Sequence, residues 1–210
     1  MKTSFLKLTL IAALIAAIAL PAAEARLNGA YYGTNYTVPF AHAYRALDSL
    51  GVDRRDAIDR DVYHMARLGL NAFRLHLWDV ELSDAEGRLL DNEHLALLDK
   101  LIASLRQRNI AIILTAQTNF GNGYPERNID PNGAYSYRFE KCRVHDNPDA
   151  QNAQERYLRA LVAHVNSETG LTYADDPAIL AVEINNEPCH SGSHTEITAY
   201  VDRMASALRS

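Results

Sequence analysis

A carboxyl group, an amide and a proline stand together where a short apolar run of the sequence ends. The run covers residues 178–184 and is shorter than a typical helix, which predicts a strand that is buried on both faces. Pro188 cannot donate to a sheet, so Glu187 lies where the strand gives way to a loop. Enzymes with parallel sheets place reactive groups at such strand ends. Glu187 is therefore a candidate for proton transfer and Asn186 for binding a substrate hydroxyl, the alternative being a solvated turn.

A second set of polar side chains alternates with apolar ones in residues 72–78, Ala-Phe-Arg-Leu-His-Leu-Trp. This period of two predicts a strand whose apolar face packs under helices and whose other face carries Arg74, His76 and Trp78. A buried arginine needs a carboxylate partner, and Glu183 is the candidate. Trp78 is a candidate sugar platform, or it packs beneath a loop. His76 is either a polar contact in the site or a satisfied interior histidine.

The elements that would position these side chains alternate between strand and helix. The predicted strands cover residues 28–34, 72–77, 110–115 and 178–184. Each is followed by a segment with apolar residues at helical spacing, and the last two of these open with clear start signals, Asn147-Pro148 and the capping box Ser193-His194-Thr195-Glu196. This order predicts an α/β fold with parallel βαβ units. A doubly wound sheet is the alternative, but no glycine-rich phosphate loop follows the first strand.

These segments resemble a known group of enzymes. The stretch from Tyr173 to Pro188 is similar to the fourth strand of clan A glycoside hydrolases, and residues 71–78 are similar to the second strand. The greatest similarity is to the cellulase and mannanase group of family 5. The resemblance runs from about residue 28 to the end of the chain and implies a (β/α)8 TIM barrel. It also implies hydrolysis of a β-linked polysaccharide or oligosaccharide with retention of configuration.

Roles for individual residues follow from the same resemblance. It implies that Glu187 is the general acid/base, that Asn186 binds the sugar 2-hydroxyl and that Arg74 orients the nucleophile. Family 5 usually carries a His at the end of strand three, where this chain has Thr115-Ala116-Gln117. We expect Gln117 to replace one polar sugar contact. The long loop that follows, residues 117–147, is either a wall of the sugar cleft or a self-packed surface loop.

The chain accounts for roughly the first four βα units of such a barrel, since a complete one needs roughly 250 residues. Retaining hydrolysis uses two carboxylates about 5–5.5 Å apart. Glu183 and Glu187 are about 13 Å apart along a strand that rises about 3.3 Å per residue, so Glu183 is not the second carboxylate. The resembled clan carries it on strand seven. We expect a C-terminal continuation to supply the missing barrel half and the present chain to be inactive alone. A non-catalytic carbohydrate-binding remnant is the alternative function.

The first 25 residues have the features of an export signal. Lys2 and Lys7 precede an apolar stretch over residues 8–20, and Ala23-Glu24-Ala25 is a small-x-small cleavage motif. The predicted organisation is a signal peptide over residues 1–25 and a barrel half over residues 26–210, in a secreted or periplasmic protein that has no membrane contact after cleavage. An uncleaved N-terminal anchor is the alternative.

The two cysteines, Cys142 and Cys189, follow the ends of predicted strands three and four. These strands should be neighbours in a parallel barrel, so both loops should emerge on the same face. Export would expose both thiols to an oxidising compartment. We predict a disulfide between them, with two separately buried thiols as the alternative.

Composition argues against other partners. The chain has 26 acidic and 21 basic residues, a formal net charge of −5 and no basic run, which speaks against nucleic acid. Cys189, His190 and His194 lie close in sequence, but they straddle Gly192 and lack a fourth ligand, so no metal is expected. No cofactor is expected either, and the predicted partner is a carbohydrate substrate.

Overall fold

The structure is a computed structural model that describes residues 30–36, 47–77, 79–117, 134–139, 141–189 and 191–210. The predicted signal peptide, Trp78, most of the long loop after the third strand, and His190 lie outside the described residues. All the helices and strands reported below belong to one compact unit, Tyr32–Ser210. Within the described ranges, no helix combines the length and the apolar character needed to cross a bilayer.

Four parallel strands form one sheet. They are β1 (Gly33–Tyr36), β2 (Ala72–His76), β3 (Ala111–Thr115) and β4 (Ile179–Glu183). Their spatial order is their order in the chain, and every neighbouring pair is parallel. A doubly wound sheet reverses its strand order, whereas this one does not. The predicted α/β fold with successive parallel βαβ units is therefore confirmed, although β1 begins later than the sequence pattern predicts.

Helices connect and cover the strands. They are α1 (Arg54–Arg67), α2 (Asp79–Leu82), α3 (Glu93–Gln107), α4 (Tyr135–Arg138), α5 (Pro148–Ala163) and α6 (His194–Leu208), with a 3-10 helix at Lys141–Asp146. The helix caps predicted for α5 and α6 are present. The Asn147 side chain accepts from the first backbone N–H groups of α5, and Ser193 and Glu196 form a reciprocal capping box at α6. These caps fix where the helices begin and hence the lengths of the loops that precede them.

The core lies between the helices and the apolar faces of β2 and β3. Phe73 and Leu75 on β2 and Ile112 and Leu114 on β3 are fully buried. Burying each of these side chains stabilises the fold by about 1.5–3 kcal/mol relative to exposure. The predicted parity of β2 is confirmed, since its apolar residues face the helices. Its polar residues are thereby directed to the opposite face of the sheet.

β4 differs from the predicted doubly buried strand. Four of its residues are only half-buried, and Ala181 is exposed. The reason is its position, because among the described strands only β3 pairs with it. An open groove of about 560 Å³ runs along its outer side and is lined by apolar side chains that include Ile179, Val182 and Leu208. The apolar run identifies a strand, but it does not show whether both faces are covered.

Candidate active site

Polar side chains converge at the carboxyl ends of β2, β3 and β4. Arg74 and His76 come from β2, Thr115 ends β3 and Glu183 ends β4. The parallel register places Thr115 directly beside Glu183 and also beside His76. Asn186 lies three residues beyond the end of β4 and is almost fully buried, with 5% of its surface exposed. Three strands therefore deliver one cluster to one edge of the sheet.

Arg74 and Glu183 form the central ion pair of this cluster. Nε of Arg74 donates to Oε2 of Glu183 at 2.8 Å, and Nη2 lies 2.6 Å from the same oxygen. The Thr115 hydroxyl donates to that oxygen as well, at 2.5 Å. Burial alone would raise the pKa of Glu183, but Arg74 and Thr115 outweigh it and hold the pKa below its usual value. Glu183 is therefore a charged partner of Arg74, as the sequence analysis predicts.

Arg74 also sets the orientation of the Asn186 amide. Nη2 of Arg74 donates to Oδ1 of Asn186 at 3.3 Å. Because this contact uses the carbonyl oxygen, the Nδ2 group of Asn186 is directed away from the guanidinium as a donor, an orientation assigned from the hydrogen-bond network. Asn35 on β1 accepts a longer bond from Nη1, at 3.5 Å. One arginine thus links β1, β2, β4 and the turn after β4.

His76 is held as a neutral imidazole inside the cluster. Burial lowers its pKa, and the positive charge of Arg74 lowers it further, against opposing effects of Glu183 and Glu187. Nη1 of Arg74 is in close contact with Nε2 of His76. A guanidinium has no acceptor, so Nε2 must accept and the ring proton must sit on Nδ1. His76 is therefore an interior partner of Arg74, the second of the two readings that the sequence leaves open.

Glu187 is exposed and has a left-handed backbone. Its φ is 45°, a conformation that residues other than glycine seldom adopt. Asn109 is the other described residue of this kind. Glu187 follows Asn186 directly in the chain, and its negative charge is one of the effects that raise the pKa of His76 against burial and Arg74. Strained backbone of this kind persists only when surrounding structure imposes it, and it is frequent at functional sites.

Gln117 does not have the position that the sequence analysis expects. Its side chain is 0% exposed, so a direct sugar contact is not available to it in this arrangement. Its Oε1 accepts from Nε2 of Gln154 at 2.6 Å and from the Tyr135 hydroxyl at 3.2 Å. Its backbone oxygen accepts from the N–H of Asn186 at 2.8 Å. Gln117 therefore lies beneath the site, because the side chain after β3 turns towards α5 rather than towards the open edge.

A disulfide joins Cys142 in the 3-10 helix to Cys189, two residues after Glu187. The S–S distance is 2.06 Å and the Cα atoms are 4.8 Å apart. This is the pairing that the sequence analysis expects. Trp78 lies outside the described residues, as does His190. Among the residues that the structure does describe, no group of three or more His, Cys, Asp or Glu side chains is arranged to hold a metal ion.

Several participants were not anticipated from the sequence. Thr115 is the last residue of an apolar strand. It lies on the same face as Ile113, two residues earlier, and this alternation could have predicted its position beside Glu183. Asn35 lies one residue beyond the predicted end of the first strand. Asn185 and Tyr200 hydrogen bond to each other across the turn and α6, and sequence spacing gives no signal for that contact.

The fold and the site together define a class of protein. Successive parallel βα units with polar side chains at the carboxyl ends of the strands are the plan of a (β/α)8 barrel enzyme. A family model described as "GH family 5 beta-mannosidase-like" matches residues 28–210. The chain belongs to glycoside hydrolase family 5, which confirms the resemblance seen in the sequence.

Some of the similar proteins are mannan-degrading by name. Mannan endo-1,4-beta-mannosidase 8 of Oryza sativa subsp. japonica is 28% identical over 168 residues, which cover 74% of this chain and 44% of that protein. The endo-1,4-beta-mannanase from Rhizomucor miehei has the same fold, with a TM-score of 0.63 and 21% identity over 85% of this chain and 52% of that one. The GH5_18 protein from Streptomyces cattleya, solved with GlcNAc, gives a TM-score of 0.60 and 18% identity over 86% and 42%. The chain thus spans about half the length of the relatives that it matches.

Proposed function

We propose that this chain is the acid/base half of a retaining glycoside hydrolase that cleaves β-1,4-linked mannan outside the cytoplasm. The observation that carries the proposal is the hydrogen bond from Arg74 to Asn186, which holds the residue directly before Glu187 in the polar cluster. The named relatives support mannan as the substrate class. The disulfide supports an oxidising compartment, where such bonds persist.

Glu187 is the group that moves the proton. In the first step its carboxylic acid protonates the glycosidic oxygen while a second carboxylate attacks the anomeric carbon and the glycosidic bond breaks. In the second step the Glu187 carboxylate takes a proton from water while the water oxygen attacks the anomeric carbon, and the bond from that carbon to the second carboxylate breaks to release the sugar. Exposure of Glu187 at the open edge gives it access to a long polymer. Asn186 directs its Nδ2 donor at the sugar 2-hydroxyl, an orientation supported by its bond to Arg74.

The attacking carboxylate comes from the remainder of the barrel in this proposal. Glu183 is the other acidic side chain of the described cluster, and its Oε2 already accepts from Arg74 and Thr115. It therefore serves as a charge partner and not as a nucleophile. Arg74 holds Glu183 on one side and orients the incoming carboxylate on the other. Trp78 is proposed as a sugar platform, as the sequence suggests.

The test uses the complete open reading frame that contains this chain. We expect it to release reducing ends from soluble β-1,4-mannan faster than from β-glucan. Glu187→Gln should lower turnover of mannan by roughly 100- to 10,000-fold, the range typical of a lost general acid. The loss should be much smaller on an aryl β-mannoside with a good leaving group, because that group needs little protonation.

The opposing results are distinct. Equal losses on both substrates would remove Glu187 from the acid role. Hydrolysis by residues 26–210 alone, abolished by Glu187→Ala, would show that no outside carboxylate is required. Manno-oligosaccharide binding without any hydrolysis by the complete protein would favour the carbohydrate-binding remnant.

A further inference from the structure

Four buried or half-buried side chains close a ring of hydrogen bonds beneath the turn that carries Glu187. Nδ2 of Asn185 donates to the Tyr200 hydroxyl at 3.3 Å, and that hydroxyl donates to Oε1 of Gln154 at 2.7 Å. Nε2 of Gln154 donates to Oε1 of Gln117 at 2.6 Å. The backbone of Gln117 then accepts from the N–H of the residue after Asn185, at 2.8 Å, and this bond closes the ring. We call these four side chains the polar ring.

Two members of the polar ring each bond neighbours on both sides. Tyr200 donates one bond and accepts one, and Gln154 uses its amide nitrogen and its amide oxygen on different neighbours. Gln117 and Gln154 are fully buried, and Tyr200 is nearly so. A buried network of this kind gains from mutual polarisation, whereas loss of one member leaves its partners unsatisfied. The polar ring therefore joins the segment after β3 and the middle of α5 and of α6 to one short turn.

Glu187 lies between this ring and a covalent bond. Asn185 belongs to the polar ring and comes two residues before Glu187, while Cys189 comes two residues after it and is bonded to Cys142. The residue held between these two anchors is the one with φ of 45°. A left-handed glutamate requires surroundings that impose it. The two anchors supply that constraint from opposite sides.

We infer that the polar ring is a positioning device for the carboxyl group of Glu187, an inference that rests on the acid/base role proposed above. Asn185, Tyr200 and Gln154 would act on the reaction without touching substrate, by fixing the turn from which Glu187 projects. Their effect would fall on the chemical step, because an acid displaced by about 1 Å can cost on the order of 100-fold in rate.

The first arm of the test observes the turn itself. In the isotopically labelled protein, the one-bond Cα–Hα coupling and the backbone chemical shifts of Glu187 report the sign of φ. Tyr200→Phe and the milder Asn185→Ala should both shift these signals away from left-handed values. The matched control is Tyr173→Phe, since Tyr173 is equally buried and donates to Asp99 at 2.7 Å, outside the polar ring. It should lower stability to a similar extent and leave the Glu187 signals unchanged.

The second arm measures mannan hydrolysis by the complete protein, well below the melting temperature of every variant. The two ring variants should lose roughly ten- to a hundred-fold in kcat with KM within about two-fold, and Tyr173→Phe should change neither. Unchanged Glu187 signals in both ring variants would overturn the inference, and so would altered signals with an unchanged kcat. If the complete protein hydrolyses no glycoside, the proposed function fails. The first arm then still decides whether the polar ring sets the conformation of Glu187.

Discussion

One carboxylate ends β4 and another bonds the connection that precedes β4, and the two are bonded in contrasting ways. Glu183 ends the strand, its side chain is 37% exposed, and its contacts with Arg74 and Thr115 all use one oxygen, Oε2. Asp99 on α3 lies beside the connection that leads into the strand, and it is 2% exposed. The Glu183 carboxylate is therefore partly accessible to solvent, whereas the Asp99 carboxylate is buried.

Both oxygens of the buried Asp99 carboxylate accept hydrogen bonds. Oδ1 of Asp99 accepts from the Tyr173 hydroxyl at 2.7 Å and lies 3.0 Å from Nε2 of His164. Oδ2 accepts from the N–H and the hydroxyl of Ser167, each at 2.8 Å. Burial alone would raise the pKa of Asp99, but these hydrogen bonds outweigh it and lower the pKa. A carboxylate without remaining acceptor capacity joins α3 to the connection between α5 and β4.

The contrast shows how the two ends of the sheet obtain their rigidity. A site that must receive a substrate has to keep donors and acceptors available, so it cannot be stabilised by satisfying every polar group internally. The end that carries Asp99 has no such demand and is held by a saturated network. The end that carries Glu187 is held by a disulfide and by polar groups placed beneath it.

Removing the disulfide should have the largest effect on stability. Its cysteines are 47 residues apart, and closing a loop of that length stabilises the fold by about 4 kcal/mol in the chain-entropy model. The Cys142→Ser/Cys189→Ser double variant should therefore unfold at a much lower urea concentration. Both sides of the bond lie at the site end, so the variant should lose mannan turnover as well.

The reduced wild-type protein is the control for this variant, because it breaks the same bond without changing the residue sizes. The two should show nearly the same free energy of unfolding. A titration of the non-reduced, denatured wild type with a thiol reagent should detect no free thiol. Two free thiols per chain would disprove the bond itself.

Asp99→Asn should have the next largest effect, and it should act on stability alone. Removing one member of a buried, charged hydrogen-bond network costs about 3 kcal/mol, measured as a shift in urea denaturation. Mannan turnover per folded molecule should not change, because Asp99 lies away from the site. Asp175→Asn is the matched control, since Asp175 is exposed and accepts from Thr172. A loss of turnover without a loss of stability would reverse the assignment of the two ends.

The pH dependence of stability in the wild type and in Asp99→Asn tests the same network. The pKa of Asp99 is lower in the folded state than in the unfolded one, so its contribution is present above the unfolded pKa, near 4. That contribution disappears as the pH falls through the lower folded pKa. Wild type should therefore lose stability more steeply than Asp99→Asn at acidic pH. Parallel pH profiles of the two proteins would contradict this view of the network.

Sequence alone could predict the elements that carry the site but not the contacts beneath it. The helical and strand spacings locate β2 and β4, and the period of two correctly directs Arg74 away from the helices. Gln117 is the informative failure. The end of a strand is where substrate contacts are expected, but the side chain of Gln117 turns inward to meet Gln154, which is 37 residues further along the chain. A contact over that separation depends on the packing of α5, and local pattern does not contain it.

Arg74→Lys tests the polar cluster at the site while keeping the positive charge. Lysine has three donors on a single nitrogen and no planar fork, so it cannot reproduce the bonds that Nε and Nη2 of Arg74 make to Glu183 and Asn186. We expect turnover of mannan by the complete protein to fall about 100-fold, because both the Asn186 amide and the attacking carboxylate lose their orientation. The free energy of unfolding should change by no more than about 1 kcal/mol, since the pair is partly exposed. A large loss of stability with normal turnover would make Arg74 a structural residue like Asp99.

His76 should give the smallest effect, a change in the slope of stability with pH. Burial and the charge of Arg74 lower the pKa of His76, so the folded protein holds it neutral. The unfolded chain binds a proton on this residue below about pH 6.5, and stability is therefore lost as the pH falls from there towards the lower folded pKa. One such group contributes at most about 1.4 kcal/mol per pH unit. In His76→Gln, whose amide oxygen can still accept from Arg74, urea denaturation between about pH 7 and about pH 5 should show a shallower slope than wild type. Identical slopes would mean that the pKa of His76 is the same in the folded and unfolded states, and burial beside Arg74 would then not be what keeps the imidazole neutral.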